Sequence, residues 1–543
     1  MRALLRLGLA LTLPCACHTR SSARPDASIH SDRGGASVAR STDRAGSAAS
    51  SAPVLQFHGS ATRDGVYVDP AMTIRAAAAM HRDMAFSAAL PGQVYAQPLW
   101  VKDGPGHQEA FIVATESNHV IAIGASGAVL WDRAYGEAAR SGLPCGNIAV
   151  GGATLGITGT PVIEAASRTI YFDAMTSARG AAPRHLIHAV SLDDGAERPG
   201  GWPIDVSSAV PGFDSPHQNQ RGALLLVSGV LYVPYGGHFG DCLPYYGWVI
   251  GLRLAKPSSV QAWRAAGPPT WNTRPPVGAA GIWATGGLAS DGTYVYAATG
   301  NSMNGGFAAT PSWVGGDAVF KLEAGPKFSS NTADYFYPSN WATLDEGDTD
   351  LGGANPVLVD MPGAAYPHLV VALGKDGKMY LLNRDNLGGE DGALLVGRVA
   401  NGDINSSAAA YTTPLGTYVA FRGFGSAYGC ANGGNLGVAK ILPDNPPTAR
   451  VVWCSKASGL GSPIVTTPDG KSSFVVWDAS TRLYGYDGDT GALVFDGDKD
   501  PGDAMPDGLH YFNAPIDAGG RIVVATCGAC KGGPGNGRLL VFR

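Results

Sequence analysis

The sequence is poor in charge, because Asp, Glu, Lys and Arg together make up 15% of its 543 residues and the net charge is −5. No basic face is visible, so a nucleic-acid partner is not expected. The chain contains no nucleophile elbow, no zinc motif and no phosphate-binding loop. The apolar run Leu4–Leu13 is too short to cross a bilayer as a helix. These absences exclude the most easily recognised enzyme and membrane classes.

Glycine and proline, by contrast, are abundant, with 76 and 37 copies. Short runs of β-branched and aromatic residues recur between them along the whole chain. That combination favours an all-β protein with many turns over a helical or an α/β protein.

The N-terminus reads as an export signal over residues 1–17, since Arg2 and Arg6 flank the start of the apolar run. Cys17 is the expected lipidated residue of a bacterial lipoprotein, with plain secretion as the alternative. Residues 18–53 contain almost no large apolar side chains and are predicted to be a disordered linker. We therefore expect an exported protein, either periplasmic or an outer-membrane or cell-surface lipoprotein, that contacts the membrane only through an N-terminal lipid.

Six cysteines follow the signal, and an even number in an exported chain indicates disulfides. We expect Cys430 to pair with Cys454 and Cys145 with Cys242, although spacing alone leaves other pairings open. The C-x-x-C motif at residues 527–530 is followed by lysine where haem attachment requires histidine. A local disulfide or loop staple is therefore favoured there.

Eight repeats, each with two apolar strands joined by a turn, follow one another from residue 54 to the C-terminus. Radial repetition protects sheet edges, so residues 54–543 are predicted to form one eight-bladed β-propeller, with a two-sheet sandwich as the alternative. The strand near Val54–Phe57 is expected to close the ring beside the last repeat. The strand pairs are 111–115 with 120–123, 169–172 with 186–192, 230–233 with 248–252, 294–298 with 318–322, 369–373 with 378–383, 418–421 with 436–441, 474–477 with 482–486, and 521–525 with 538–542.

Several repeats end in a tryptophan at the end of a strand, as in Gly201-Trp202 and Ala262-Trp263. Such a side chain can bury a flat face between two neighbouring sheets while its N–H bonds to a carbonyl. The pattern resembles the tryptophan-docking motifs of quinoprotein propellers, and the resemblance implies that four residues dock adjacent blades: Trp131, Trp202, Trp263 and Trp453.

The stretch from residue 281 to residue 384 carries, in order, G-I-W, T-G-N, G-D and K-D-G-x-x-Y-x-L-x-R. This order resembles the core of the quinoprotein alcohol dehydrogenases, which depend on pyrroloquinoline quinone (PQQ). The resemblance implies that Trp283 stacks under PQQ, Asn301 ligates calcium, Asp317 is the catalytic base and Lys375 contacts the quinone oxygens. The structural alternatives are a blade-packing tryptophan and ordinary turn residues.

Other segments depart from that family. The family has a glutamate as its second calcium ligand, but the matching loop here contains His238 and Asp241 instead. Asp241 is the better substitute, because calcium prefers oxygen ligands to imidazole. The adjacent-cysteine ring of many members is absent, and Arg221 is assigned to the cofactor site or central channel. Two acidic loops, 345–350 and 496–507, are predicted to be solvated turns rather than calcium sites.

Two functions therefore compete. The missing glutamate and cysteine ring favour a non-catalytic binding propeller or scaffold at the cell envelope, with an envelope protein or a glycan as partner. The alternative is a PQQ- and calcium-dependent dehydrogenase that oxidises an alcohol or a sugar and passes electrons to an external acceptor.

Overall fold

A computed structural model describes residues 51–140, 143–144, 154–178, 181–239, 241–266, 278–303, 312–430, 433–528 and 535–543. The predicted signal, most of the predicted linker, Cys145 and Cys530 lie outside these ranges. Within them, no helix is both long enough and apolar enough to cross a membrane. The described residues belong to one unit, 49–543.

The first half of the chain forms blades 1–4, preceded by a short N-terminal segment. That segment contains β1 (Val66–Val68), α1 (Ile74–Ala78) and β2 (Ala88–Leu90). Blade 1 has β3 (Leu99–Val101), β4 (Ala110–Ala114), β5 (His119–Gly124) and β6 (Val129–Ala134); blade 2 has β7 (Val162–Glu164), β8 (Thr169–Thr176), β9 (Arg184–Ser191) and β10 (Ile204–Asp205), followed by α2 (Val206–Ala209). Blade 3 has β11 (Gln218–Asn219), β12 (Leu225–Val227), β13 (Val230–Gly237), β14 (Trp248–Arg253) and β15 (Val260–Arg264). Blade 4 has β17 (Ala289–Ser290), β18 (Val295–Thr299), β20 (Ala318–Leu322) and β21 (Tyr335–Tyr337), with a ribbon of β16 (Gly278–Ala279) and β19 (Ser302–Met303) beside it in the chain.

The second half forms blades 5–8 and begins with α3 (Trp341–Gly347). Blade 5 has β22 (Val357–Asp360), β23 (His368–Leu373), β24 (Lys378–Asn383) and β26 (Leu395–Arg398), while β25 (Gly389–Glu390) joins the edge of blade 4. Blade 6 has β27 (Ala409–Thr413), β28 (Gly416–Arg422), β29 (Leu436–Leu442) and β30 (Thr448–Cys454). Blade 7 has β31 (Ile464–Thr467), β32 (Val475–Ala479), β33 (Leu483–Asp487) and β34 (Leu493–Asp496); blade 8 has β35 (Ile516–Asp517), β36 (Ile522–Ala525) and β37 (Gly537–Phe542).

Each strand pair predicted from the repeats forms two central, antiparallel strands of one blade, so the eight-bladed propeller is confirmed. In blade 1, for example, Phe111 pairs with Ile123, and every residue of β4 is buried. Strands buried on both faces read as continuous apolar runs, which is why the repeats were visible in the sequence.

The predicted closing strand, however, is wrong. Blade 8 takes its fourth strand from β2, which pairs antiparallel with β37. Val54 forms only an isolated bridge with Trp100 in blade 1. The three residues of β2, Ala-Ala-Leu, have weak strand propensity, so only their long-range pairing defines them as a strand.

The N-terminal segment instead crosses the first strands of successive blades, which are the edges facing the ring axis in a propeller. Its carbonyl oxygens accept hydrogen bonds of 2.7–3.0 Å from blades 2, 4, 5, 6 and 7. The pairs are Ile163 N to Leu55 O, Ser290 N to Ala61 O, Leu358 N to Thr62 O, Ala410 N to Asp64 O, and Val465 N to Gly65 O. The buried Arg63 guanidinium adds donors to the carbonyl oxygens of Leu224 and Leu288, both at 2.8–2.9 Å. This segment therefore ties the blades together around the axis.

Three of the four predicted docking tryptophans form a hydrogen bond or a ring contact with the next blade. Trp131 donates its indole N–H to Leu192 O at 3.0 Å, and Trp453 donates to Gly488 O at 3.0 Å. The Trp263 ring lies 4.9 Å from that of Phe320 in blade 4. The Trp202 ring lies 5.7 Å from that of Tyr171 in its own blade, and Trp202 also packs against the apolar cluster that blades 2 and 3 share.

The cysteine positions agree with the expected pairing where they are described. The sulfur atoms of Cys430 and Cys454 lie at bonding distance, with a Cα–Cα separation of 6.4 Å, which is within the range for a disulfide. Cys242 and Cys527 are also disulfide-bonded. The partners expected for them, Cys145 and Cys530, lie outside the described residues.

Candidate functional site

An axial cavity of about 390 Å³ lies where loops of blades 3, 4 and 5 and the segments before blades 6 and 8 meet. Cavities of this size accommodate small molecules. Of the six site residues predicted from the sequence, this cavity brings together five. The lining residues are Arg221, His238, Phe239, Asp241, Trp283, Asn301, Asp348, Asp350, Lys375, Asp403, Asn405 and Tyr511.

One part of the cavity wall is a cluster of the partly buried Trp283 and Lys375 with the buried Asp350. The Trp283 indole N–H donates to Asp350 Oδ2 at 3.0 Å. The Lys375 ammonium lies 2.6 Å from Asp350 Oδ1 and 2.6 Å from Asp348 Oδ1. The Asp350 side chain is 1% exposed and that of Asp348 is 49% exposed. One carboxylate therefore orients the tryptophan and the lysine, while the other opens toward the cavity.

Local sequence explains how this cluster is assembled. Lys375 lies in the turn between β23 and β24, and its backbone N–H donates to Asp350 O at 3.0 Å. Gly300, the middle residue of T-G-N, packs directly against the cluster. A Cβ atom at Gly300 would overlap Asp350 Oδ2 and lie 2.6 Å from Trp283 Nε1. Only glycine allows the tryptophan and the aspartate to approach the end of β18 so closely.

Charge in the cavity is unevenly compensated. Burial alone lowers the pKa of Lys375, but Asp350 and Asp348 outweigh burial and hold this pKa above its ordinary value. Burial raises the pKa of Asp241, and the nearby Asp350 raises it further. Burial likewise raises the pKa of Asp403. Four carboxyl groups thus face two fixed cations, an arrangement that a bound cation would stabilise.

Arg221 provides the second cation of the cavity. Its guanidinium carbon lies 5.2 Å from the centre of the Trp283 ring, and the Lys375 ammonium lies at the same distance from that ring. Arg221 Nη2 donates to Gly237 O at 3.0 Å. Burial lowers the Arg221 pKa, and no carboxylate of the described residues lies within ion-pairing distance of it. A buried guanidinium of this kind is suited to an anionic ligand.

Several cavity residues carry buried polar atoms without a hydrogen-bond partner among the described residues: Arg221 Nε, His238 Nδ1, Asn301 Nδ2 and Asn405 Oδ1. Burial lowers the pKa of His238 to about 4, so its ring is neutral, and Nε2 donates to Pro216 O at 2.9 Å. Buried polar atoms without partners are rare in proteins. Several of them around one cavity indicate a polar ligand.

The residues present fit a hard cation together with an anion. Asp241, Asp350 and Asn301 offer the oxygen atoms that calcium prefers. Arg221 and Lys375 offer cations beside the flat Trp283 ring, which suits a planar anion such as PQQ.

Asp317, the predicted catalytic base, does not line this cavity. It is fully buried behind the cavity wall, in a left-handed backbone conformation with φ 50°. Its Oδ1 accepts the Leu351 N–H at 2.8 Å, and its carboxyl group contacts that of Asp345. Asp345 in turn accepts the Ser302 N–H at 2.8 Å. Asp317 thus supports the loop that carries Asp348 and Asp350.

The acidic loop 345–350 was predicted to be a solvated turn, and this is wrong for two of its aspartates. Asp345 and Asp350 are each 1% exposed. Their position in the chain could have indicated them, because both aspartates lie just before the first strand of blade 5, and that blade carries Lys375. In the second acidic loop, Asp500 and Asp503 approach His81; these three form the one group of at least three His, Cys, Asp or Glu side chains, in the ranges described, whose ligand atoms lie within 4.8 Å of one another. That group does not line the cavity.

Sequence reasoning also missed Phe239, Asp403, Asn405 and Tyr511, which all line the cavity. Tyr511 belongs to the loop before β35 and reaches the cavity from the far side of the ring. No local motif marks these four residues. Phe239 shares a loop with His238 and Asp241, whereas the loops of Asp403, Asn405 and Tyr511 reach the cavity only because the ring closes.

The sequence matches no family model and no curated protein. Solved structures are nevertheless similar in fold. The quinohemoprotein alcohol dehydrogenase ADHIIG of Pseudomonas putida HK5 superposes with a TM-score of 0.61 at 13% identity, over 90% of this chain and 80% of that one. A quinohemoprotein alcohol dehydrogenase of Comamonas testosteroni gives 0.61 at 14% identity over the same shares. A europium-containing methanol dehydrogenase gives 0.60 at 13% identity, over 90% of this chain and 98% of that one.

At such low identity these similarities concern architecture alone. They agree with the eight blades of the propeller. The chain therefore has the eight-bladed β-propeller fold of the quinoprotein alcohol dehydrogenases.

Proposed function

We propose that the protein binds a planar anionic cofactor of the PQQ class together with a calcium-like cation in the axial cavity, and oxidises an alcohol or a sugar there. The observation that carries this proposal is the convergence of Trp283, Arg221 and Lys375 with oxygen donors in one cavity. A scaffold that needs only its blades would not require a buried aspartate paired with a lysine beside a tryptophan ring. Burying charges is costly unless they are paired or bind a ligand.

The chain's own residues divide the work. The hydrogen bond from the Trp283 indole N–H to Asp350 fixes the orientation of the ring on which the cofactor would stack. Arg221 and Lys375 would bind the carboxylate and carbonyl oxygens of the cofactor, and Asn301, Asp241 and Asp350 would hold the cation. When bound, such a cofactor supplies a two-electron acceptor.

Proton transfer falls to Asp348 rather than to Asp317 in this proposal. Asp348 lines the cavity and its carboxylate is about half exposed, so a substrate hydroxyl can reach it. Asp317 is fully buried. Lys375, at 2.6 Å from Asp348, holds that carboxylate in place in the cavity wall, where it would accept the hydroxyl proton.

The test separates binding from turnover. Purified protein is incubated with PQQ and either CaCl₂ or EGTA, passed through a desalting column, and assayed for retained quinone absorbance and for dye reduction with a panel of alcohols and sugars. We expect calcium-dependent retention of PQQ, and at least about tenfold weaker binding in Lys375→Met. Asp348→Asn should retain PQQ but lose about 100-fold or more of the dye-reduction rate.

The matched control is Lys378→Met. Lys378 forms an ion pair with Asp376 at 3.0 Å and does not line the cavity, so PQQ retention should be unchanged. Failure of the wild-type protein to retain PQQ with calcium would refute the proposal. Full dye reduction by Asp348→Asn would remove that residue from its role.

A second candidate is the non-catalytic propeller at the cell envelope that binds an envelope protein. It is favoured by exposed aromatic side chains near the cavity: Phe239 is 62% exposed, and Phe424, which packs 6.0 Å from Tyr511, is 40% exposed. Exposed large apolar side chains are a feature of interaction surfaces. In that case PQQ is not retained, whereas Phe239→Asp abolishes co-purification of the partner from an envelope extract.

A further inference from the structure

A cluster of three side chains, which we call the closure cluster, joins the N-terminal segment to the connection between blades 7 and 8. It consists of His81, Asp500 and Asp503. His81 lies between α1 and β2, the strand that completes blade 8, and its backbone exchanges two hydrogen bonds with Arg543, which follows β37. The two aspartates lie between β34 of blade 7 and β35 of blade 8. None of the three residues lines the axial cavity.

The closure cluster brings one possible metal ligand from each side chain close together. His81 Nδ1 lies 3.1 Å from Asp503 Oδ2 and 3.9 Å from Asp500 Oδ2, and the three ligand atoms all lie within 4.8 Å of one another. Ligand atoms bound at about 2.0–2.2 Å to a tetrahedral ion are about 3.3–3.6 Å apart. The two nitrogen–oxygen distances lie on either side of that range, so small side-chain rotations would close the cluster around an ion.

The second carboxylate oxygen of each aspartate fixes the orientation of its side chain. Asp503 Oδ1 accepts the backbone N–H of Arg82 at 2.7 Å, and Asp500 Oδ1 accepts the backbone N–H of Gly502 at 2.8 Å. Both Oδ2 atoms are thereby directed toward the imidazole. Hydrogen bonds of this kind orient the ligands of metal sites.

The negative charge of the closure cluster has no fixed cation beside it. The Asp503 side chain is 3% exposed, so the prediction of a solvated turn is wrong for this residue. In the described part of the chain, neither Asp500 nor Asp503 forms an ion pair with a lysine or an arginine, and the Arg82 guanidinium donates instead to Ala504 O. Burying a carboxylate is costly unless it is paired or coordinates a metal. A divalent cation would compensate both carboxylates.

The other histidines show how an ordinary histidine–aspartate pair differs from this cluster. His107 Nδ1, for example, lies 2.8 Å from Asp103 and has that one carboxylate as its partner. Among the described residues, His81 is the one histidine with two carboxylates within 4.0 Å of its ring nitrogens. One proton on Nδ1 can satisfy one carboxylate fully, but it cannot satisfy two.

An imidazole nitrogen combined with two carboxylate oxygens suits zinc or a similar divalent transition metal, whereas calcium prefers oxygen ligands alone. The side chains of His81 and Asp500 are more than half exposed, so an ion can enter and water can complete its coordination. We propose that the closure cluster is a zinc-type metal site that fastens β2 to the connection between blades 7 and 8. The bound ion stabilises the closure of the ring.

Zinc titration of the full chain tests the proposal. The protein is treated with EDTA, dialysed into buffer with CaCl₂ so that sites preferring calcium are filled, and titrated with ZnCl₂ in a calorimeter. We expect saturable zinc binding, at least about tenfold weaker in His81→Ala and severalfold weaker in Asp500→Asn. Both side chains are exposed, so these variants should fold. His107→Ala is the matched control and should bind zinc as the wild type does.

Amide hydrogen exchange tests the location of the ion. Zinc should slow exchange in the segment 82–90, which contains β2, at least about fivefold in the wild type and not in His81→Ala. Exchange in β14 of blade 3 should not change. The proposal is overturned if the wild type shows no saturable zinc binding, if His81→Ala binds zinc as tightly, or if zinc protects β14 as strongly as the segment 82–90. PQQ retention is independent of these outcomes.

Discussion

Two groups of buried aspartates lie within a few residues of each other in this protein, yet their charges are compensated differently. On the cavity wall, Asp350 is paired with the Lys375 ammonium at 2.6 Å and with the Trp283 N–H. Just behind it, Asp317 and Asp345 contact each other, and in the described part of the chain neither forms an ion pair with a Lys, Arg or His side chain. The buried carboxylate of the first group thus has a cation and an N–H donor as direct partners. The second must hold a proton to remain buried.

The difference follows from what each group faces. The cavity group contacts solvent through the half-exposed Asp348. The Lys375 ammonium beside it therefore loses only part of its hydration. The Asp317–Asp345 pair lies against backbone donors of Leu351 and Ser302, which satisfy oxygen atoms but do not neutralise two charges. Burial raises the pKa of Asp317 well above its ordinary range, and it raises that of Asp345 to about 6.

The largest expected effect comes from removing the cation of the first group. Lys375→Met leaves Asp350 buried and unpaired, which should lower the free energy of unfolding by about 3–5 kcal/mol. Urea unfolding followed by fluorescence at neutral pH measures this loss. Lys378→Met, which breaks a partly exposed pair, should cost no more than about 1 kcal/mol. Equal losses in the two variants would show that Lys375 has no special role.

An intermediate effect is expected where the backbone meets the first group. Gly300→Ala forces Asp350 and Trp283 away from the end of β18, which should cost about 1–3 kcal/mol of stability. Gly397→Ala is the control, since its nearest neighbour would be Leu395 at 4.0 Å. Thermal unfolding of both variants is the measurement. A Gly300→Ala protein as stable as the control would contradict the close packing described above.

The smallest effect concerns the second group and depends on pH. A carboxyl whose folded pKa is raised binds more protons in the folded state, so its contribution to stability is present below about pH 4 and is lost as pH rises through about 6. Asp317→Asn removes this loss, because an amide does not ionise. The amide oxygen can still accept the Leu351 N–H, so the packing of the loop is kept. The substitution should stabilise the protein at pH 8 by up to about 3 kcal/mol, and by much less at pH 4.5.

Glu346→Gln provides the control for that experiment, since Glu346 is exposed on the same helix α3. Its unfolding free energy should follow the wild-type pH profile within about 0.5 kcal/mol. Urea midpoints recorded from pH 4.5 to 8 for both variants decide the matter. A pH-independent difference between Asp317→Asn and wild type would mean that the pair does not share a proton.

The fold could largely be predicted because each blade is a local unit. The central strand pairs, such as 369–373 with 378–383, are separated by short turns and buried on both faces, so their apolar runs reveal them. Ring closure was mispredicted because the choice between Val54–Phe57 and the weak strand β2 is a pairing between the two ends of the chain. Local propensity contains no information about it.

The site was predictable in part for the same reason. Trp283, Asn301 and Lys375 belong to short motifs at strand ends, and the structure places all three around one cavity. The distinction between Asp317 and Asp350 could not be read from the chain, since both follow turns and both are acidic. Only burial and partners separate them, the one facing Asp345 and the other Lys375.

What the sequence by itself determined is the repeated blade and the identity of several polar residues at its strand ends, because strand periodicity and turn chemistry act over a few neighbouring residues. The tertiary structure alone decided which strand closes the ring, which aspartate reaches the axial cavity and which lies behind it. These features depend on contacts between segments tens to hundreds of residues apart. Such contacts are fixed by packing of the whole ring and leave no local trace in the chain.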